Sequence, residues 1–227
     1  MKIVATSDLH GHLPEIPECD ILFIAGDVLP IWNHEKQYQS QWMKTKLKDW
    51  LESVPAKDIV GVGGNHDFAM VESSKHRSYL PWHYLKDEAV EVQGLKIWGS
   101  PYSNKFGNWA AMLPESMLRE KWLKIPRDID ILMVHGPAYG YGDLVPAVSW
   151  SAEKRGWSNL DHGGEHVGST SLANMLTYEE WPNLKFMFTG HIHEAYGKYS
   201  LKNIDIYNCA HMTGSYEPIN PPWEIEL

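Results

Sequence analysis

At 227 residues, with 43% hydrophobic and 22% charged residues, the chain has the size and composition of one globular domain, predicted over residues 1–227. Its formal net charge of −9 argues against binding along a long nucleic acid, which requires many lysine and arginine contacts to phosphate. No apolar run reaches the roughly 18 residues of a transmembrane helix, so no contact with a membrane is predicted.

Short apolar runs alternate with amphipathic segments, which is typical of an α/β fold. The predicted strands are, in chain order, residues 3–5, 21–25, 58–62, 89–92, 95–98, 129–134, 184–188, 198–201 and 204–207. The predicted helices are residues 35–54, 115–124 and 171–180. Residues 136–168 are rich in glycine, proline and aromatic residues, which indicates a long loop that serves a site or is disordered.

The cellular setting is predicted from two features. Cys19 and Cys209 are isolated and match no metal-ligand spacing, whereas a secreted protein of this length usually carries several cysteine pairs. The first predicted strand begins at Ile3, which leaves no room for a signal peptide ahead of it. Both features favour a reduced, cytoplasmic protein.

Five polar clusters follow five of the apolar strands. They are Ser7-Asp8-Leu9-His10-Gly11, Gly26-Asp27, Gly64-Asn65-His66-Asp67, His135-Gly136 and Gly190-His191-Ile192-His193. Ligand sites of open α/β sheets form at the carboxyl ends of the strands, so we expect the clusters to meet there. Each cluster alone is a weak signal, but the ordered set of five indicates one common site.

The clusters have the chemistry of a metal centre, because they offer two carboxylates, one amide and four imidazoles besides His66. Mixed oxygen and nitrogen ligands suit Mn, Fe, Co, Ni or Zn better than Ca or Mg. In Asp-x-His and His-x-His, alternate side chains lie on one side of an extended backbone and can face one metal. Two metals roughly 3.5–4 Å apart can clamp a phosphoryl group and hold a hydroxide for in-line attack. The sequence therefore predicts two divalent metal ions, with Mn favoured.

The five clusters resemble the motifs of the calcineurin-like metallophosphoesterases, and the resemblance extends from residue 3 to about residue 211. Residues 135–137 and 190–197 are also similar to the small metallophosphoesterase-domain proteins, a branch related to class III cyclic-nucleotide phosphodiesterases. The resemblance implies a four-layer αββα sandwich with two central mixed β-sheets and with the metals at one edge.

The resemblance also implies a role for each matching residue. The residues that would bind the first metal are Asp8, His10, Asp27 and His193. Those that would bind the second metal are Asp27, Asn65, His135 and His191, so that Asp27 bridges the two. A metal-bridging hydroxide would be the nucleophile. His66 would contact the phosphoryl group and could protonate the leaving group, and Asp67 would orient His66.

The scarcity of arginine bears on the substrate. No arginine occurs in the six residues after Asp27, a region where Ser/Thr protein phosphatases of this superfamily carry one. A dianionic phosphomonoester favours a bidentate arginine clamp, whereas a phosphodiester carries one charge less. We therefore predict a phosphodiesterase for a small or nucleotide-type substrate. Alternatives are a phosphomonoesterase or nucleotidase, a nuclease for short substrates, and a non-catalytic metal-binding scaffold.

Further substrate contacts are predicted outside the clusters. The candidates are His12, Tyr139, Arg155 and His166. His12 could reach the site mouth or lie in an exposed loop, and Tyr139 could stack on a nucleobase or pack the loop. His166 precedes a predicted helix and could present its N-terminus to phosphate, or serve in capping. Arg155 could add positive charge from the long loop.

Two more polar residues, Asn33 and His34, follow the second cluster and could touch the substrate, although we expect Asn33 to be the N-cap of the next helix. A tryptophan-rich surface could support a homodimer.

Overall fold

The computed structural model describes residues 1–146 and 164–227. Its strands are β1 Lys2–Thr6, β2 Cys19–Ala25, β3 Ala56–Val62, β4 His83–Tyr84, β5 Glu88–Val92, β6 Leu95–Ser100, β7 Ser103–Asn104, β8 Met112–Leu113, β9 Ile131–Val134, β10 Leu144–Val145, β11 Glu165–His166, β12 Phe186–Thr189, β13 Gly197–Leu201, β14 Ile204–Asn208 and β15 Trp223–Glu226. Its α-helices are α1 Lys36–Trp42, α2 Lys48–Ser53, α3 Phe68–Glu72, α4 Glu115–Trp122 and α5 Thr170–Tyr178. A π-helical turn, Met43–Leu47, joins α1 to α2, and 3₁₀ turns occupy Lys75–Ser78 and His193–Ala195.

Two mixed sheets form the centre of the described fold. The five-stranded sheet has the order β15-β1-β2-β3-β4 and is parallel except where β15 pairs with β1. The six-stranded sheet has the order β13-β14-β12-β9-β6-β5, with parallel pairing in the middle and an antiparallel pair at each edge. The central strands are continuous apolar runs because both of their faces are covered.

Apolar side chains fill three layers. Between the sheets, Phe23 of β2 stacks on Phe188 of β12 with ring centroids 5.0 Å apart. Trp42 of α1 belongs to the core on the outer face of the five-stranded sheet. Leu118 of α4 and Leu172 of α5 belong to the core on the outer face of the six-stranded sheet. The helix–sheet–sheet–helix order confirms the predicted four-layer αββα sandwich.

The predicted elements are present with shifted ends. The structure adds α3, the two-residue strands β4, β7, β8, β10 and β11, and one longer strand that was missed. The helix predicted at 35–54 is present as α1, the π-helical turn and α2, which follow one another without a break. The missed strand is β15, which pairs antiparallel with β1 along the edge of its sheet. It is four residues long, follows Pro221 and Pro222, and buries Ile225 alone, so its apolar pattern is too short to identify. In the described part of residues 136–168, β10 pairs with β11. No described helix has the length and apolar character needed to cross a membrane.

Replacing Phe188 by alanine is expected to lower the free energy of unfolding by about 3–5 kcal/mol, because it opens a cavity in the layer between the sheets. Urea denaturation measures the change. Tyr178→Ala is the control, since that side chain is 81% exposed and its removal should cost less than about 0.5 kcal/mol. Equal denaturation midpoints for Phe188→Ala and the wild type would contradict this packing.

Candidate metal centre

Five strand ends deliver polar side chains to one edge of the sandwich. Asp8, Asp27 and Asn65 follow β1, β2 and β3, while His135 and His191 follow β9 and β12. Backbone hydrogen bonds join neighbouring ends, with Asp8 N donating to Gly26 O at 2.8 Å and Gly190 N to His135 O at 3.0 Å. The predicted ligands are buried except for His191, which is partly exposed. The structure therefore brings the five clusters together as predicted.

One group of candidate ligand atoms comes from Asp8, His10 and His193, all within 4.8 Å of one another. The Nε2 atoms of His10 and His193 are 3.1 Å apart, and His193 Nε2 lies 3.4 Å from Asp8 Oδ1. Two imidazole nitrogens this close cannot both carry a proton directed at the other. A cation among these atoms would use both nitrogen lone pairs and the carboxylate charge. The group fits a divalent metal.

A second group within 4.8 Å contains Asp8, Asp27 and His135. His135 Nε2 lies 3.4 Å from Asp27 Oδ2 and 3.0 Å from Asn65 Oδ1. The carbonyl of Ala25 can only accept, so the 2.9 Å contact with His135 Nδ1 places a proton there and leaves Nε2 facing the centre. Asp27 Oδ2 also lies 3.9 Å from His10 Nε2. Asp27 thus lies between the two histidines, where a bridging carboxylate would be needed.

His191 joins this side of the centre through its ring, whose centroid lies 5.1 Å from that of His135. Its backbone N–H donates to both carboxylate oxygens of Asp8, at 2.9 and 3.0 Å. The Ser7 hydroxyl donates to Asp8 Oδ2 at 2.6 Å. Asp8 is therefore held by donors from the segments that follow β1 and β12.

In the centre, burial and the charges of neighbouring groups shift pKa values in opposite directions. Burial raises the pKa of Asp8, but the hydrogen bond and charge of His193 outweigh it and bring the pKa to about 2. Burial also opposes protonation of His135, yet Asp27 and Asp8 raise the pKa of His135 to about 9. The pKa of Asp27 stays well below its ordinary range because the charges of His135 and His66 outweigh burial. The carboxylates are charged at neutral pH, which favours a cation.

Metal affinity is expected to rise with pH up to about 9, by about tenfold per unit for one displaced proton. The reason is that His135, with a pKa of about 9, must lose its proton before Nε2 can bind a metal. Competition between the protein and a fluorescent chelator for Mn²⁺, repeated at several pH values, measures the effect. An affinity that is constant from about pH 6 to 9 would contradict the assignment of His135 as a ligand.

The backbone at the centre is strained. Asp8, His10, Asp27 and His191 have φ values of 52°, 47°, 52° and 70°, in the left-handed region that non-glycine residues rarely adopt. Such conformations cost about 1–3 kcal/mol each and concentrate at functional sites. Hydrogen bonds hold them in place, such as the one from His10 N to Asp27 O at 2.9 Å. The strain therefore supports a functional role for this edge.

Gly190 lets the backbone approach a candidate ligand, since a Cβ there would lie 2.1 Å from Asp8 Oδ2. Gly190→Ala is expected to displace the Asp8 carboxylate and to weaken metal binding by about 10–100-fold, the loss typical when support of a metal ligand is disturbed. Chelator competition measures it. Gly197→Ala is the matched control, because its nearest neighbour would lie at 3.4 Å. Unchanged affinity in Gly190→Ala would show that Asp8 is not needed in this position.

His66 lies beside these groups, with Nε2 4.0 Å from Asp27 Oδ2. Its backbone N–H donates to Asp27 Oδ1 at 2.7 Å, and its carbonyl accepts from Gln39 Nε2 at 2.7 Å. The Trp109 ring lies 4.5 Å from the imidazole, centroid to centroid. Burial lowers the pKa of His66 despite the opposing charge of Asp27. The side chain is held at the centre with its Nε2 toward Asp27.

The prediction that Asp67 orients His66 is wrong in this structure. The Asp67 carboxylate instead accepts from the backbone amides of Val28, Leu29 and Gly64, at 3.2, 2.8 and 2.9 Å. Burial and the charge of Asp27 raise the pKa of Asp67 to about 7. Asp67 therefore ties the turn after β2 to the turn after β3. The group at hydrogen-bond distance from His66 Nδ1 is His34, at 2.9 Å.

The predicted substrate residues lie in different positions relative to the centre. His12 is exposed, with its ring 5.9 Å from that of Trp32. Tyr139 and His166 have ring centroids 5.4 Å apart and line a 330 Å³ pocket that reaches His191. Arg155 lies outside the described residues.

Of the two roles considered for the segment around His166, the structure favours capping and packing over an N-terminus open to phosphate. Ser169 caps α5 by accepting from Leu172 N at 3.2 Å, and Glu115 accepts from Ser171 N at 2.7 Å. A carboxylate from α4 thus already occupies the anion position. His166 Nδ1 lies 2.6 Å from the buried Asp143 carboxylate, which fixes its ring on the pocket wall.

Three aromatic residues at the site were missed. Tyr216 lies over the centre, with its ring centroid 4.8 Å from that of His193 and 5.5 Å from that of His10. Phe106 lies 5.7 Å from His191 by the same measure, and Trp109 packs on His66. All three come from loops without a motif, so no sequence signal identified them. Asn33 is not the expected N-cap of α1, because Glu35 holds that position; its side chain accepts from Glu35 N at 2.8 Å in the preceding turn.

Comparisons with known proteins agree with this geometry. The calcineurin-like phosphoesterase family matches residues 1–195. The chain is 30% identical to metallophosphoesterase domain-containing protein 1 of Homo sapiens and of Mus musculus, over 100% of this chain and 71% of each relative. It is also 30% identical to a UPF0046 protein of Caenorhabditis elegans, over 98% of this chain and 59% of that protein. Its buried Asp and His groups could hold divalent metal ions. The chain therefore belongs to the calcineurin-like phosphoesterase family.

Proposed function

We propose that the chain is a binuclear-metal phosphodiesterase for a small or nucleotide-type substrate. The observation that carries the proposal is the meeting of two groups of buried carboxylate and imidazole atoms, each within 4.8 Å, at one edge of the sandwich. Mixed oxygen and nitrogen donors favour a transition metal, and we propose Mn. His66 lies beside both groups, where a phosphate ester bound to the metals would contact it.

The ligands are assigned from the motifs and their placement. We assign Asp8, His10, Asp27 and His193 to the first metal. We assign Asp27, Asn65, His135 and His191 to the second metal. When bound, two divalent metals supply positive charge to the phosphoryl oxygens and activate water for attack.

The chain's own residues complete the reaction. His66 Nε2 faces the Asp27 side of the centre, where it can donate to the leaving oxygen as the phosphorus–oxygen bond breaks. The negative charge of a bound ester raises the proton affinity of this nitrogen, which counteracts the effect of burial. Tyr216 lines the 50 Å³ pocket at the centre.

The residues around the centre support a phosphodiester as the substrate. Among the described residues, the walls of the 50 Å³ and 330 Å³ pockets contain Lys105 but no arginine. A diester needs less charge compensation than a monoester. The 330 Å³ pocket offers room for the second ester group, and Phe106 and Tyr139 present aromatic faces for a base.

Hydrolysis of two model substrates tests the proposal. Metal-stripped protein is reloaded with Mn²⁺ and assayed with bis(p-nitrophenyl) phosphate and p-nitrophenyl phosphate. We expect a higher kcat/KM for the diester and loss of activity on chelation. Faster cleavage of the monoester would favour a phosphomonoesterase or nucleotidase. Binding of two metals without cleavage of either substrate would favour a scaffold.

A further inference from the structure

His34 contacts the ring of His66 on the nitrogen that does not face the metal centre. His34 Nε2 lies 2.9 Å from His66 Nδ1, whereas His66 Nε2 lies 4.0 Å from Asp27 Oδ2. One ring nitrogen of His66 is thus engaged by a neighbouring imidazole, and the other is directed to the proposed site of reaction. The two rings lie 5.0 Å apart, centroid to centroid, with an interplanar angle of 35°.

Aromatic packing fixes the His34 ring. It lies edge-on to Phe68 and Trp109, at centroid distances of 5.7 and 5.2 Å, and Trp109 also packs against His66. The hydrogen bond from Glu35 N to Asn33 Oδ1, at 2.8 Å, anchors the turn that carries His34. The contact between the two histidines therefore belongs to a packed aromatic cluster rather than to a mobile surface.

A neutral His34 can accept a hydrogen bond at Nε2. Burial lowers the pKa of His34 against the opposing charge of Asp27, which favours the neutral ring at neutral pH. With its proton on Nδ1, His34 offers an Nε2 lone pair to the Nδ1–H of His66. A hydrogen-bond acceptor at one ring nitrogen fixes both the tautomer and the direction of an imidazole.

We propose that His34 is the positioning residue of His66, holding a proton on His66 Nδ1 so that His66 Nε2 alone exchanges protons with the substrate. The proposal rests on the proposed phosphodiesterase function. In the reacting state His66 carries protons on both nitrogens. The oxygen of the attacking hydroxide bonds to phosphorus as the phosphorus–oxygen bond to the leaving group breaks, and the Nε2 proton passes to the leaving oxygen. His66 then becomes neutral, with its remaining proton still donated to His34.

The test compares variants on two leaving groups, with equal amounts of bound Mn²⁺. His34→Phe keeps an aromatic ring but removes the nitrogen, whereas His34→Gln keeps an acceptor near the position of Nε2. Diphenyl phosphate has a more basic leaving group than bis(p-nitrophenyl) phosphate and depends more on protonation. We expect His34→Phe to lower kcat by about tenfold on diphenyl phosphate and much less on the nitrophenyl diester, with little change in KM. His34→Gln should recover most of the loss.

A double variant shows whether His34 acts through His66. In the His66→Ala background, His34→Phe should cause no further loss. Equal losses on both substrates, or an additional loss in that background, would overturn the proposal. If His66→Ala is impaired but His34→Phe is not, the His34 proposal fails and the phosphodiesterase remains. If the metal-loaded wild type cleaves no diester, the proposed function itself fails.

A measurement that does not depend on catalysis accompanies these assays. Nitrogen-15 NMR of the Zn²⁺-loaded protein reports which ring nitrogen of neutral His66 carries the proton. We expect Nδ1–H in the wild type and in His34→Gln, and a mixture of tautomers in His34→Phe. The same tautomer in all three proteins would overturn the proposal whatever the activities are.

Discussion

Replacing Asp27 by asparagine is expected to abolish binding of the metal pair and to lower phosphodiesterase activity by more than about 100-fold. That value is the upper end of the loss seen when groups that only support metal ligands are removed. Asp27 Oδ2 lies 3.4 Å from His135 Nε2 and 3.9 Å from His10 Nε2, so its charge serves both proposed metals. Asparagine keeps the shape and one acceptor oxygen but not the negative charge.

Calorimetric titration with Mn²⁺ measures the loss. Asp128→Asn is the matched control, because its carboxylate is 64% exposed and pairs with Lys96 on the surface. The control should bind metal and cleave the diester as the wild type does. An Asp27→Asn protein that still binds two metals and retains its activity would show that the bridging assignment is wrong.

Replacing His66 by alanine is expected to lower kcat by about 10²–10⁴-fold, the usual contribution of a positioned acid or base. Metal content should not change, because His66 is proposed to act on the substrate rather than on the metals. This distinction needs measurement, since atoms of His10, Asp27 and His66 also lie within 4.8 Å of one another and could hold a cation.

Activity and bound metal are therefore measured on the same His66→Ala sample. His83→Ala is the control, as that side chain is 45% exposed and lies outside the centre. Loss of a metal from His66→Ala would make His66 a ligand. Wild-type activity in the variant would remove His66 from the mechanism.

The meeting of the candidate metal ligands could be predicted because they follow strands with a strong pattern. Asp8, Asp27 and His135 each come directly or almost directly after an apolar run, and parallel strands bring such ends to one edge. The order of the clusters along the chain was enough to identify the family. The apolar runs indicated the α/β class, whereas the four-layer sandwich followed from the resemblance to the family.

The partners of the site residues could not be predicted in the same way. The resemblance to the family implied that Asp67 would orient His66, but its carboxylate accepts hydrogen bonds from three backbone amides of two turns. Glu115 occupies the N-terminus of α5 from a separate helix, which no local pattern could reveal. The contact of His34 with His66 depends on how the chain turns after β2. Such pairings are decided by tertiary packing and not by spacing along the chain.

Anomalous diffraction from a crystal grown with Mn²⁺ tests the central claim most directly. The account predicts two manganese peaks on either side of the Asp27 carboxylate, roughly 3.5–4 Å apart, as in two-metal hydrolases. One peak should lie against His10 and His193, and the other against Asn65 and His135. A single peak, or two peaks that do not share Asp27, would contradict a binuclear centre with a bridging aspartate.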